Sequence, residues 1–266
     1  MKQFFGKYRG KVTATADPMH LGRIQVSVPA VLGEGRSSWA MPCVPYAGAD
    51  IGLFTVPPVN SNIWVEFEGG DPDYPIWSGC FWGSNELPQN AKVPEPDKVQ
   101  VFKTNGITLT LSNFGNTKGL TLEVTNPVVN QPLKMVFNAN GIELNNNNNT
   151  TTKWTADAIE IKTGQNSTIT IAADSIQLKE SSVEIKLTAS SIELINNPST
   201  VKLTTSDIQL ANSSATVKIA PAGIESTNTP ATVKIAPSGI ELSNGAANIK
   251  LSPISVNVNN GALEVI

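Results

Sequence analysis

From the asparagine run at 145–149 to the C-terminus, apolar residues take every second place in short stretches that recur after 16 residues. Val217, Ile219 and Ile224 return as Val233, Ile235 and Ile240, and Lys218 and Glu225 return as Lys234 and Glu241. The beat extends back through Val201-Lys202-Leu203 and Ile185-Lys186-Leu187, and forward through Ile249-Lys250-Leu251. Its other half is marked by Ile159, Ile176, Ile192, Ile208, Ile224 and Ile240, in steps of 17 and then 16. Alternation with period two predicts strands with one covered face, and self-similarity at a fixed short period predicts a repeat architecture. Each repeat therefore holds two short strands, one of the type Val-Lys-Ile and one of the type Gly-Ile-Glu-Leu or Ser-Ile-Gln-Leu. Turns such as Ala-Pro-Ala-Gly and Asn-Asn-Pro-Ser join them.

The first ninety residues alternate without repeating. Strand-like runs cover residues 6–15, 23–28, 39–44, 52–56, 63–68 and 76–82, with turns at Asp17-Pro18 and Gly69-Gly70-Asp71-Pro72. Ile24, Val26 and Val28 share one face, as do Ile63, Val65 and Phe67; Trp64, Glu66 and Glu68 take the other. Short strands at this spacing, with no helical period, predict a five-stranded barrel of the OB type over residues 1–84. Residues 85–104, with three prolines, read as a linker, residues 105–149 as an irregular β neck, and residues 150–266 as the repeat.

The size of the repeat decides what it builds. Single-chain solenoid coils use about 18 residues or more per turn, so a 16-residue unit with two strand faces encloses little by itself. Its apolar stripe has to be buried against something. Three chains wound about one axis meet that need, which predicts an intertwined trimeric β-helix, a β-prism. Its core is Val201, Leu203, Ile208, Val217, Ile219, Ile224, Val233, Ile235, Ile240, Leu242, Ile249 and Leu251. The alternation of Lys202, Lys218, Lys234 and Lys250 with Glu193, Gln209, Glu225 and Glu241 predicts opposite signs on neighbouring strands.

Composition narrows the function. Charged residues are only 15% of the 266, and 19 Lys+Arg against 22 Asp+Glu leave a net charge of −3. Phosphate binding depends on basic neutralisation, so nucleic-acid binding is not expected, and Trp39, Trp64, Trp77 and Trp82 read as barrel core or subunit contact. No apolar run is long enough to span a membrane as a helix, and MKQFFGKYRG lacks a secretory signal. Synthesis in the cytoplasm is expected. Cys43 and Cys80 are too few for a disulfide framework and read as reduced, mostly buried thiols, with a single bridge as the alternative.

Several segments of the first domain carry a resemblance. Tyr8-Arg9-Gly10-Lys11-Val12, Asp17-Pro18, Leu21-Gly22-Arg23-Ile24-Gln25-Val26, Val28-Pro29, Trp39-Ala40 and Pro45-Tyr46-Ala47-Gly48 occur in the same order as in the phage baseplate spike family. So do Val56-Pro57, the run from Trp64 to Asp71, Pro75-Ile76 and Gly79. The barrel resembles the OB domain of contractile-tail spikes and VgrG proteins, whose needles are trimeric β-helices. Asn60-Ser61-Asn62 stands where that family often has a Gly-Asp/Glu pair. The resemblance implies a homotrimeric central spike, found in a virion tail baseplate or an equivalent injection particle. It would sit on a separate hub protein and pierce a target cell envelope. The short connection after Gly83 leaves no room for the lysozyme-type domain of some relatives. A trimeric tail fibre or adhesin-like receptor-binding protein is the alternative reading.

No pattern for catalysis or for a cofactor emerges. His20 is the only histidine, too few for a His-based zinc site, and Glu66, Glu68, Asp71 and Asp73 read as a solvated hairpin end rather than a glycosidase pair. Some relatives hold iron at the tip through His-x-His motifs; this C-terminus has no histidine, so no metal is expected there. Leu263, Val265 and Ile266 end the sequence on an apolar note and are the candidate contacts for a PAAR-type tip protein, or for self-packing of three C-termini.

Overall fold

A computed structural model describes residues 2–265, which form two compact units, 2–92 and 93–265. The first is built from β1 (Tyr8–Ala14), β2 (Ile24–Ser27), the one-turn helix α1 (Pro29–Leu32), β3 (Ser38–Pro42), β4 (Ala47–Gly48), β5 (Ile51–Gly52), β6 (Asn62–Phe67) and β7 (Pro75–Cys80). Strands close into a barrel in the order β1-β2-β3-β7-β6 and back to β1. Only the β3–β7 pair is parallel, with Met41 opposite Ile76. This is the five-stranded OB barrel that the alternation predicts.

Its interior follows the same alternation. Ile24, Val26 and Val28 are fully buried, as are Ile63 and Val65, with Val12, Ala40, Phe67 and Trp77 beside them. Phe4, Tyr8 and Phe67 pack ring on ring at one end. The loop from β1 to β2 is organised by one carboxylate. Asp17 accepts hydrogen bonds from the backbone N–H groups of Met19, Leu21 and Arg23 and from the Arg23 guanidinium at 2.7 Å. The guanidinium beside it, together with those N–H donors, holds its carboxyl far below the ordinary carboxylate range.

Three expectations are corrected here. Residues 52–56 do not form a barrel strand: Ile51–Gly52 makes a two-residue ladder with Ala47–Gly48 outside the barrel. Pro57 and Pro58, which lack N–H donors, follow directly and cannot extend a ladder. Cys43 and Cys80 are free but exposed rather than buried, one just past the end of β3 and the other at the end of β7. Partial desolvation raises the Cys80 thiol pKa. Residues 99–103, expected as linker, form a strand, because the prolines all lie before Val99.

The second unit is one antiparallel meander. Among the described residues it has twenty strands, from Val99–Lys103 to Leu263–Val265, and consecutive strands pair along its whole length. In the repeat, strands are mostly six residues long and most are joined by two-residue turns. The turns use two chemistries at equivalent places. In Ala220-Pro221-Ala222-Gly223 and Ala236-Pro237-Ser238-Gly239, the glycine takes φ of 139° and 144°. A Cβ there would lie 2.0 Å from the carbonyl oxygen of Ile235 or Leu251, so only glycine fits. One and two repeats earlier no glycine is needed. The Thr204 hydroxyl accepts from Ser206 N and Asp207 N at 3.2 and 2.9 Å, and the Thr188 hydroxyl accepts from Ser190 N and Ser191 N.

The meander also redefines what a partner chain has to supply. The ladder of the repeat runs between consecutive strands of one chain, consistent with the β-prism expected of it. Its backbone groups are thus satisfied internally. What the single chain leaves uncovered is a face, not a ladder.

Candidate functional site

That face consists of two parallel apolar rows. One passes directly across the strands through Ile185, Leu194, Val201, Leu210, Val217, Ser226, Val233, Leu242, Ile249 and Val258. The other passes through Leu187, Ile192, Leu203, Ile208, Ile219, Ile224, Ile235, Ile240, Leu251 and Val256. Every residue expected in the needle core lies in one of these rows. In a lone chain most of them are exposed: Ile235 at 43%, Leu242 at 42% and Ile249 at 43%. A continuous apolar surface of this extent exceeds what monomers leave in water and marks an interaction site. The rows also contain Leu194 and Leu210, which the expected core omitted. Their signal was present in the Ile-Glu-Leu and Ile-Gln-Leu runs.

Between the rows, on the opposite face, runs a line of alternating charge. Lys186, Glu193, Lys202, Gln209, Lys218, Glu225, Lys234, Glu241 and Lys250 are each directly opposite the next. No two like charges face each other in it. Lys202 bonds Glu193 at 2.8 Å, and Lys218 turns to Asp207 at 3.1 Å. Asp207 also accepts from Thr204 and Gln209; these donors and Lys218 bring its pKa down to about 2. Glu193 is lowered and Lys202 raised by their mutual hydrogen bond.

The barrel carries a second uncovered apolar surface. Tyr46, Ile51, Leu53 and Phe54, on and flanking the small β4–β5 hairpin, are exposed, Phe54 by 80%. They border a cavity of about 580 Å³ that also reaches Pro42, Val44 and Trp77. The tryptophans divide. Trp77 is buried with its indole N–H unpartnered, Trp64 stacks on Phe81 at 4.8 Å, Trp39 lies under Arg23, and Trp82 is exposed.

Residues 8–82 match the OB domain of type VI secretion system and phage-baseplate injectors. Residues 195–264 match the C-terminal trimerisation domain of phage baseplate V proteins. The chain belongs to the phage baseplate spike family. The trimerisation segment of this baseplate spike protein covers all but the first two residues of each apolar row. Comparison with curated proteins gives no match.

The remaining residues singled out in the sequence fall as follows in the spike protein. Glu66 pairs with Lys7 at 2.9 Å, and Asp71 accepts from Asp73 N in a turn. His20 is exposed in the β1–β2 loop, with φ of 55°. Among the described residues, no three His, Cys, Asp or Glu side chains gather as metal ligands, and no helix is long and apolar enough to cross a membrane. Leu263 and Val265 lie on the last strand, exposed by 59% and 58%; Ile266 lies outside the described residues. Asn60, in place of the family's Gly-Asp/Glu pair, adopts φ of 72°, a conformation that Asn tolerates.

Proposed function

We propose that this protein is the homotrimeric central spike of a contractile tail or injection-system baseplate. Three copies of the meander bury their apolar rows against one another and present the charge rows to solvent, making a needle without exposed apolar stripes. Sheath contraction drives the needle through the target envelope. The barrel seats on a baseplate hub protein, with Tyr46, Ile51, Leu53 and Phe54 as its contact. The needle carries no lysozyme domain between barrel and meander, so its work is mechanical. The last strand, with Leu263 and Val265, receives a PAAR-type tip protein. The particle is a virion tail or an equivalent extracellular machine.

One observation carries this reading: the uncovered apolar rows overlap the segment that matches a trimerisation domain. The twenty strands, at about 4.8 Å each, extend the sheet by roughly 90 Å along the direction of the rows. Light scattering of the purified chain should give the mass of three copies, and electron microscopy should show a rod. A monomer in solution, or a compact particle with no rod, overturns the proposal.

A further inference from the structure

One position breaks the apolar rows. Strands of the Ile-Glu-Leu type place a leucine two residues after the isoleucine: Leu178, Leu194, Leu210 and Leu242. In Gly223–Asn228 the same place holds Ser226, directly opposite Val217 and Val233. A hydroxyl therefore stands in a row that is otherwise branched and apolar from Ile185 to Val258. The second row has no such break between Leu187 and Val256.

A regular repeat has a problem that this break solves. If three copies bury these rows together, sliding one chain by a single repeat brings Ile, Leu and Val onto Ile, Leu and Val almost everywhere. The charge row is equally tolerant, because Lys218 and Lys234, or Glu225 and Glu241, exchange places. Apolar burial is non-directional and does not distinguish the two registers. A polar side chain at one level does. In register, three Ser226 hydroxyls meet at one level, where they can donate and accept among themselves or through a trapped water. Slipped by one repeat, one Ser226 faces the leucine level of its neighbours, and a buried hydroxyl left without a partner is strongly disfavoured.

We infer that Ser226 sets the axial register of the three chains, as a single polar position sets register in an apolar coiled-coil seam. The inference rests on the trimeric reading above. It also implies that the break lowers the stability of the assembly, since a leucine there would complete the row.

The test is chain mixing in the full-length protein. Wild-type and Ser226→Leu chains of different tag mass are unfolded, mixed in equal amounts and refolded, and the trimers are counted by native mass spectrometry. Mixed trimers should fall about tenfold below their binomial share, the factor that one unpartnered buried hydroxyl carries. Wild type mixed with Ser226→Thr, which keeps the hydroxyl, should assemble binomially. A chain with the break moved by one repeat, Ser226→Leu with Leu242→Ser, should form its own trimers and should join wild type only displaced by one repeat, with its moved serine level with Ser226 of wild type. If leucine prevents assembly, Ser226→Val, matched to Val217 and Val233, replaces it in the same experiment. Binomial mixing of wild type with the leucine or valine chain overturns the inference while leaving the trimer intact. A wild-type chain that is not trimeric overturns the reading beneath it instead.

Discussion

Glu193 and Lys202 face each other across adjacent strands, with Nζ 2.8 Å from Oε1 and the Ser191 hydroxyl donating to the same carboxylate oxygen. The pair lies in a line where each charge has an opposite or neutral neighbour on either side. Directly opposed pairs contribute little individually when exposed, whereas like charges in the same place are destabilising. Glu193→Lys should thus lower the thermal midpoint, since it sets three lysines, 186, 193 and 202, side by side. The added swap Lys202→Glu should recover most of the loss. Thermal unfolding of the two variants checks this, and an unchanged midpoint in the single variant would count against the charge row as a structural feature.

The two turn chemistries predict opposite tolerances. At Gly239 an added methyl meets the Leu251 carbonyl oxygen at 2.0 Å, and φ is 144°. Gly239→Ala should cost about 2 kcal/mol, within the range for residues forced into sparsely populated backbone regions. Asp207, at the corresponding place two repeats earlier, is fixed by the Thr204 hydroxyl instead. Thr204→Val should open that turn at a cost of about 1 kcal/mol, the net worth of an ordinary hydrogen bond, and Thr204→Ser should preserve it. Denaturant midpoints separate the three variants.

Asp207 also predicts an acid dependence. Its pKa falls from 3.8 to about 2 on folding, chiefly through hydrogen bonds from Gln209 and Thr204 and contact with Lys218. A depressed carboxylate stabilises the fold fully above its unfolded value, and that contribution is lost as pH falls through the folded value. The wild-type midpoint should therefore decline as pH drops from 3.8 toward about 2. Asp207→Asn should make that decline shallower while leaving the neutral-pH trace similar in shape. An identical acid limb in both proteins would remove Asp207 as a contributor.

Much of this architecture is legible in the sequence because alternation is a local property. Ile63, Val65 and Phe67 point inward because a strand sends successive side chains to opposite faces, and the same rule places Ile235 and Leu242 on one side of the meander. Less legible is what depends on partners distant in the chain. Nothing local shows that Cys43 and Cys80 are exposed. The short ladder at Ile51 was overextended for the opposite reason: Leu53 to Val56 look like a strand, but no neighbouring strand is free to pair with them. A 16-residue period says that a face must be covered, and it does not say whether the ladder lies within a chain or between chains.

The uncovered face supplies the most direct test of assembly. Ile235 and Leu242 lie in different rows of neighbouring strands, 43% and 42% exposed in one copy, and neither contributes to the barrel core. Asp at either place would leave the intrachain ladder intact, because side chains on this face take no part in it. In a trimer the same carboxylate would be buried without a partner, which costs several kcal/mol per ion, and three copies would be buried at one level. Ile235→Asp and Leu242→Asp should therefore abolish trimers at neutral pH while the barrel still folds. Light scattering reads the first effect, and fluorescence of buried Trp77 reads the second. Lys250→Gln, on the charged face, is the control and should remain trimeric. Trimers that persist with aspartate at both positions would show that the rows are not the surfaces by which copies of this chain meet.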